Sequence, residues 1–262
     1  MSFLKRVLSS VGIGAAKVDT ILQGDQFVPG EIIEATVNMK GGSTEQEVEA
    51  LYVSIHCTYE REVEAIDEED EDTEITSVFL LDKFHVADAF TIAPGEEKYF
   101  SMSFQLPFNT PLTLGKAKAW VQTGMDIKRA IDPKDRDYIR VVPGELVRAL
   151  FGSIRELGFD LKEVECEAVP SGFPRPQPFV QEFEFRPLGG PFRGRLDELE
   201  IICFPGSNSV EVFMETDRKA RGITSFLAEM MNLDESRSRF SFGPEDVPNL
   251  TDTLSEIIEK QS

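Results

Sequence analysis

The residues that could do chemistry are few and scattered. The chain has two histidines, His56 and His85, and three cysteines, Cys57, Cys166 and Cys203, without C-x-x-C spacing. A zinc site needs more ligands than two histidines and three dispersed cysteines are expected to bring together. The G-x-S-x-G, P-loop, G-x-G-x-x-G and H-E-x-x-H motifs are absent from the sequence. We therefore predict that the protein is not an enzyme and has no metal and no cofactor.

Composition narrows the class of partner. The chain has 262 residues and a net charge of −20, which repels the phosphates of nucleic acids, so we expect no nucleic-acid binding. Three distant cysteines do not form a disulfide framework, which favours the reducing cytoplasm. Because Cys57 continues an alternating apolar series, we interpret it as a buried structural thiol. No apolar run reaches the length of a transmembrane helix.

An acidic run, IDEEDEDTE, spans Ile66–Glu74. It lacks the spaced oxygen ligands and the turn glycine of an EF-hand loop. Because adjacent like charges repel, we expect an extended, solvated connection between two strands. The alternative is a docking site for a basic partner. Its candidate residues are Asp67, Glu68, Glu69, Asp70, Glu71 and Asp72.

The pattern of the first half of the chain predicts β-strands, and these strands must position any site. FVPGEIIEATVNMKGG, Phe27 to Gly42, places alternate apolar residues on one face, as half-buried strands do. Further strands are predicted at Val48–Glu62 and Ser77–Val86 and after the Pro-Gly turn at residues 94–95. Short strands separated by turns, without intervening helices, favour a β-sandwich over residues 15–143.

Apolar residues recur at helical spacing in three segments of the chain. Residues 144–158 predict an interdomain helix that ends at Gly158, and residues 1–14 predict a short amphipathic helix. The N-terminal helix either packs on the protein or docks on a membrane surface or a partner. A second β-sandwich is predicted over 159–222. A helical region follows over 223–262, in which SRFSF is a candidate for one further strand.

Four segments together resemble the bacterial sporulation-control proteins of the stage-zero M group. They are VGIGAAKVDTIL, FVPGEIIEATVNMKGG, SFQLPFNTPLT and LGFDLKEVECE. The resemblance extends from residue 1 to at least Phe204. It implies an arrestin-like fold of two tandem β-sandwiches, no known cofactor, and a regulatory rather than catalytic role. Similarity to arrestins does not by itself imply receptor binding.

Opposite charges crowd the segment Gly124 to Val141. Arrestin-like proteins have a buried charge network between or beneath their domains, and this segment ends at the predicted interdomain helix. Removing one member of a buried pair is costly, so such a network could act as a conformational latch. We predict Asp126, Arg129, Asp137 and Arg140 as its candidates. The alternative is exposed ion pairs that contribute little.

These observations favour a cytoplasmic, non-enzymatic, arrestin-like scaffold or regulator that binds unidentified protein partners as a monomer or a dimer. Strand edges, loop tips and a cleft would provide its binding surfaces. One alternative is a membrane-surface or trafficking adaptor that uses the N-terminal helix. A less favoured alternative is a hydrolase with dispersed acidic residues, which would need carboxylates that converge in a pocket.

Overall fold

The computed structural model describes residues 16–63, 73–128, 132–170, 175–217 and 239–261. The predicted N-terminal helix, the acidic residues 67–72 and the first part of the 223–262 region lie outside these ranges. Strands dominate the described residues, which confirms the prediction of a mainly β protein. The strands are β1 Lys17–Leu22, β2 Gln26–Phe27, β3 Ile32–Lys40, β4 Gln46–Val63, β5 Thr73–Ala87, β6 Phe90–Ile92, β7 Glu97–Gln105, β8 Ala119–Ile127, β9 Lys134–Val141, β10 Phe159–Ala168, β11 Phe179–Pro187, β12 Glu198–Pro205, β13 Val210–Asp217 and β14 Arg239–Phe242.

Helices occur near the middle and at the end of the described chain. They are α1 Glu145–Glu156, a 3₁₀ turn Val247–Asn249 and α2 Leu250–Gln261. The predicted stop of α1 is confirmed, because Gly158 follows the helix with φ of +93°. A Cβ at this position would lie 2.5 Å from the backbone of Gly189, so both the turn and the packing require glycine. SRFSF does contribute the short strand β14.

The described residues divide into two compact units. Unit 1 comprises 16–57, 79–110, 118–128 and 132–141. Unit 2 comprises 58–63, 73–78, 111–117, 142–170, 175–217 and 239–261. Unit 2 therefore includes the last residues of β4 and the first residues of β5. The proposed domain limits at 143, 158 and 222 stay predictions.

Unit 1 contains a three-stranded antiparallel sheet in the order β1-β3-β7. The alternation in FVPGEIIEATVNMKGG sets this sheet's buried face, since Ile33, Ala35, Val37 and Met39 are each at most 3% exposed. On β7, Phe104 is buried, whereas the intervening residues Ser101, Ser103 and Gln105 are exposed. The alternation predicted for Phe27 to Gly42 is thus confirmed on β3, whereas on β7 Phe100 and Met102 are only partly buried.

The other sheet of unit 1 has the order β4-β8-β9-β2, and β5 and β6 also pair with β4. One face of β4 and β8 is apolar and buried. Rings from the two sheets meet in the core: Phe84 stacks on Phe104 with centroids 5.1 Å apart, and Phe90 lies 5.6 Å from Phe100. The hydroxyls of Thr20 and Thr123 form a buried hydrogen bond. Which sandwich geometry these sheets adopt stays a prediction.

In unit 2, β10 to β14 form an antiparallel sheet in sequence order. Helices α1 and α2 cover one face, where Phe151 contacts the rings of Phe183 and Phe185 at 4.9 and 5.6 Å. The helices are joined by a 2.8 Å hydrogen bond from Thr251 to Glu156. Their buried residues are apolar: Val147, Leu150 and Ile154 in α1, and Leu250, Leu254 and Ile258 in α2. The opposite face of this sheet carries glutamates.

Candidate functional site

Three of the four predicted latch residues, Asp126, Asp137 and Arg140, are among the residues that the structure describes, and these three do not form one contact cluster. In the pairing of β8 with β9, Trp120 stands opposite Tyr138. Asp126 and Arg140 therefore share one side of this strand pair but stand near opposite ends, about 25 Å apart at 3.3 Å per residue. Asp126 forms a hydrogen bond with Tyr52, and Arg140 is exposed.

Asp137 lies on the other side of β9, next to Asp135 and near Asp19. Burial and the repulsion of these two carboxylates raise the pKa of Asp137 to about 6. Its Oδ2 has no hydrogen-bond partner among the residues that the structure describes. Arg129 and the docking candidates 67–72 lie outside the described residues. The latch and the docking loop stay predictions.

A different cluster occupies the side of β4, β8 and β9 that carries Asp126. We call it the Trp120 face, and it consists of three rows of residues that stand opposite one another across these strands. The rows are His56, Trp120 and Tyr138; Ser54, Gln122 and Arg136; and Tyr52, Gly124 and Lys134. Each of the three strands contributes alternate residues, because successive side chains point to opposite faces.

Rings stack along the first row. The His56 and Trp120 rings are nearly parallel, with centroids 5.4 Å apart, and Tyr138 lies 5.8 Å from Trp120 on the other side. The Arg136 guanidinium lies 4.7 Å from the indole centroid and donates to Gln122 Oε1 at 3.5 Å. Ser54 Oγ lies 2.9 Å from His56 Nε2. These contacts hold aromatic and cationic groups in fixed positions.

Tyr52, the first residue of the third row, extends its side chain over the neighbouring Gly124. Its ring fills the space above Gly124, where a Cβ would come within 2.3 Å of the ring. Lys83 Nζ stands 3.5 Å from the centroid of the same ring. Burial, the nearby charge of Asp126 and Asp132, and a hydrogen bond to Asp126 raise the pKa of Tyr52. This end of the face therefore includes a carboxylate.

The other end of the face has a positive local potential. The pKa of His56 is lowered by its burial and by the charges of Arg136 and Lys134. Its imidazole is therefore neutral at neutral pH. Arg136, Lys134 and Tyr138 are exposed, whereas Trp120 is only 3% exposed. The exposed part of this end of the face thus consists of two cations and a tyrosine.

The glutamate face of unit 2 is the second cluster. It consists of Glu163, Glu165, Glu167, Glu182, Glu184, Glu198, Glu200 and Glu215 on four adjacent strands. The register places Glu163, Glu184, Glu200 and Glu215 opposite one another in one row. Like charges directly opposite each other destabilise a sheet, so this face must be neutralised.

Glu182 is the most perturbed of these carboxyls. It is 7% exposed, and burial together with the charges of Glu200, Glu167, Glu165 and Glu184 raises its pKa to about 9. Glu182 is therefore protonated and uncharged at neutral pH. Its Oε1 has no hydrogen-bond partner within the described part of the chain. Protonation removes one of the charges that would otherwise repel.

Two neighbouring carboxyls share a proton. Burial and a hydrogen bond to Glu184 raise the pKa of Glu198 to about 7. Burial acts to raise the pKa of Glu184, but hydrogen bonds from Glu198 and Lys162 outweigh it and lower that pKa. Lys162 Nζ lies 2.5 and 2.8 Å from the two Glu184 oxygens. Burial and the charge of Glu165 raise the pKa of Glu167 to about 7.

The histidines and cysteines are placed as expected for structural residues. His56 points away from the side that buries Ile55 and Cys57, and His85 contacts Asp88 at 3.0 Å on the surface. Burial raises the pKa of the thiols of Cys57 and Cys203 to about 12. Among the described residues, no group of His, Cys, Asp and Glu side chains could hold a metal ion. In the same part of the chain, no helix is long and apolar enough to cross a membrane.

Neither face was predicted from the sequence, because each joins residues that are close in space but far apart along the chain. The signal for the glutamate face was glutamate at alternate positions in EVECEA, QEFEF and ELEI. The signal for the Trp120 face was the sorting of KDRDYIRV, where cations and a tyrosine alternate with two aspartates. Neither signal gives the register that places residues of different strands opposite each other.

A family model described as SpoOM protein matches residues 4–220 of the chain. The chain belongs to this family. The resemblance to the sporulation-control proteins of the stage-zero M group is thereby confirmed.

Relatives of the SpoOM protein family match this chain along its length. A protein from Bacillus subtilis strain 168, named Sporulation-control protein spo0M, is 41% identical over 99% of both chains. The crystal structure of Spo0M, sporulation control protein, from Bacillus subtilis matches with a TM-score of 0.83 at 40% identity. That match covers 95% of this chain and all of the solved chain. The two proteins therefore share a fold.

Proposed function

We propose that this chain is a non-enzymatic regulator of the sporulation-control type that acts in the cytoplasm by holding protein partners, on an arrestin-like framework. The observation that carries the proposal is the 41% identity to the B. subtilis sporulation-control protein over 99% of both chains. The similarity extends over nearly the whole of both sequences and is not confined to one segment. A regulator that performs no reaction must act through what it binds.

The Trp120 face supports the binding role. Exposed tyrosine and arginine beside a buried tryptophan are the residue types enriched where proteins bind one another. Arg136 and Tyr138 both contact the Trp120 ring, at 4.7 and 5.8 Å from its centroid, so less side-chain freedom is left to be lost on binding. The histidine of this face contacts a serine at 2.9 Å, and we assign it to positioning.

Gene replacement in B. subtilis tests the regulatory role. The gene of the 41% identical relative is deleted or replaced by this chain, and the frequency of heat-resistant spores is counted. We expect the replacement strain to lie closer to the parent than to the deletion strain. A replacement strain that matches the deletion strain, with the protein present at parental levels, would contradict a shared role.

Affinity capture tests the mechanism. Both the chain and its relative are used as bait in the same B. subtilis lysate, and we expect an overlapping set of captured proteins. Truncation of 223–262 is a poor variant for this purpose, because it removes β14 and the buried residues Leu250, Leu254 and Ile258 of α2. Surface substitutions on the Trp120 face leave the core intact and are the better comparison.

A further inference from the structure

Strand β9 sorts its charges by face. Lys134, Arg136 and Arg140 point to the side of Trp120 and are exposed, whereas Asp135 and Asp137 point to the other side. A chain with a net charge of −20 therefore presents three cations along one exposed strand. The sequence KDRDYIRV is close to neutral overall, so the basic character arises only when the strand forms.

This face also has more hydrogen-bond donors than acceptors. Trp120 Nε1 is buried and has no acceptor within the described part of the chain. Arg136 and Lys134 are donors only, and the Tyr138 hydroxyl can donate as well. Because the indole nitrogen is buried, a ligand would contact the exposed donors of this face and not the Trp120 N–H. The shortage of acceptors indicates a ligand rich in oxygen.

Arg136 is already held in a binding geometry. Its guanidinium lies 4.7 Å from the Trp120 ring centroid, and Nη2 contacts Gln122 Oε1 at 3.5 Å. A guanidinium that stacks on a ring keeps its remaining N–H groups directed along its own plane, where a carboxylate can accept two of them. Such a side chain loses little freedom when it binds.

The lowered pKa of His56 reports the local field. After burial, the causes of the shift are the charges of Arg136 and Lys134, so the field at the ring is positive despite the charge of the whole chain. The groups facing His56 are Ser54 on its own strand, Trp120 on β8, and these two cations on β9. The carboxylate of Asp126 lies at the other end of the face, beside Tyr52.

We propose that the Trp120 face binds an acidic segment of a partner protein. Carboxylates of the segment pair with the exposed Arg136 and Lys134, and Tyr138, which is 62% exposed, covers its side chains. The inference rests on the proposed function, because it names the partner chemistry of the same surface. An acidic protein segment is favoured over a nucleic acid because it carries less negative charge. The rest of this chain's surface is negative and would repel a long polyanion.

Trp120 provides its own reporter, because it is the only tryptophan in the chain. The full chain is titrated with a ten-residue glutamate peptide and, in parallel, with a ten-residue glutamine peptide. At about 0.15 M salt the screening length is about 8 Å, so distant negative charges of the protein contribute little. We expect a saturable change in Trp120 emission with the glutamate peptide only.

Charge reversal at the site is compared with the same reversal elsewhere. Arg136→Glu is expected to weaken glutamate-peptide binding about tenfold or more, because an attractive contact becomes a repulsive one. Arg155→Glu changes the net charge by the same amount at an exposed position of α1 in unit 2, and it should leave the affinity unchanged. Peptide labelled with a dye measures binding by anisotropy in both variants.

Four results would overturn the proposal. They are no binding of the glutamate peptide, equal weakening by the two reversals, equal or tighter binding of a single-stranded DNA decamer, and Trp120 emission that changes with protein concentration alone. The last result would assign the face to a second copy of this chain. None of the four alters the spore counts or the shared capture, so failure here is distinguishable from failure of the proposed function.

Discussion

The Trp120 face of unit 1 and the glutamate face of unit 2 are built by the same rule, in which alternate residues of adjacent strands collect on one side of a sheet. The charged groups of the two faces differ in their exposure to solvent. Arg136 and Lys134 are exposed, whereas Glu182, Glu198 and Glu200 are at most 7% exposed. Exposed charge remains available to a ligand, and buried charge is removed by protonation or pairing.

This difference separates recognition from stability. A buried carboxyl that holds a proton affects the free energy of unfolding, and it makes that quantity depend on pH. An exposed cation affects mainly what binds, because water screens its effect on folding. Substitutions on the two faces should therefore report through different measurements.

Glu182→Gln is expected to have the largest effect. The pKa of Glu182 is raised from 4.5 to about 9, so folded protein holds a proton at neutral pH that the unfolded chain has released. The stabilisation from this proton is fully present below pH 4.5 and is lost as the pH rises toward 9. Glutamine should remove a slope of about 1.4 kcal/mol per pH unit. Urea unfolding at pH 6, 7 and 8 measures the slope.

The matched control for Glu182 is Glu163→Gln. Glu163 belongs to the glutamate face but is exposed, so the same loss of a carboxylate should leave the pH slope of the wild-type protein in place. The charges that face Glu182 are Glu165 and Glu167 on β10, Glu184 on β11 and Glu200 on β12, and both variants retain them. Parallel slopes for wild type and Glu182→Gln would show that this carboxyl is ionised in the folded protein.

Gly124→Ala should disrupt the packing of the Trp120 face and lower the stability of the protein. A methyl group there would approach the Tyr52 ring to 2.3 Å, so the ring and the Lys83 ammonium above it must shift. Overpacking of this kind costs about 1–3 kcal/mol. Thermal or urea unfolding measures the loss of stability.

Gly152→Ala is the control for this substitution. Gly152 lies in α1, and a Cβ there meets nothing within 4 Å. Alanine should stabilise the helix by about 0.5–1 kcal/mol. If Gly124→Ala were neutral or stabilising, as Gly152→Ala should be, the close approach of Tyr52 to Gly124 would be disproved.

Asp137→Asn should have a smaller effect and bears on the latch prediction. The pKa of Asp137 is raised from 3.8 to about 6, so the stabilisation from its proton is present below pH 3.8 and lost as the pH rises through 6. Because the residue is half-buried, we expect asparagine to stabilise by only about 1 kcal/mol at pH 7. A paired latch residue would behave oppositely, and its amide variant would be less stable. Asp25→Asn at an exposed site is the control.

The strands were predictable because their period is local. Ile33 to Met39 alternate, so their burial follows from sequence alone. The apolar spacing of α1 and its stop at Gly158 are equally local signals. Strand pairing is not local: His56 and Trp120 are neighbours only because β4 and β8 pair in one register.

The side-chain positions in the charged segment Gly124 to Val141 also depend on strand pairing, which sequence alone does not give. Asp126 and Asp137 are near in sequence, but the side of the sheet on which each lies depends on its place in the alternation and on the pairing of β8 with β9. Burial strong enough to protonate Glu182 also depends on residues from three strands. Fold class and element positions were thus predictable, and the two faces were not.

The smallest expected effect is a shift in the pKa of His56, which tests whether the cations of the Trp120 face act on their surroundings. The pKa of His56 is lowered by burial and by Arg136 and Lys134, and its imidazole stacks on the only tryptophan of the chain. Because an imidazolium quenches indole fluorescence, Trp120 emission should fall on acidification with a midpoint below 6.5. Arg136→Gln should move that midpoint upward by a fraction of a pH unit, whereas Arg155→Gln in unit 2 should not. A midpoint unchanged by Arg136→Gln would mean that burial alone sets the pKa of His56, and the cations of this face would then be too well screened to attract an acidic segment.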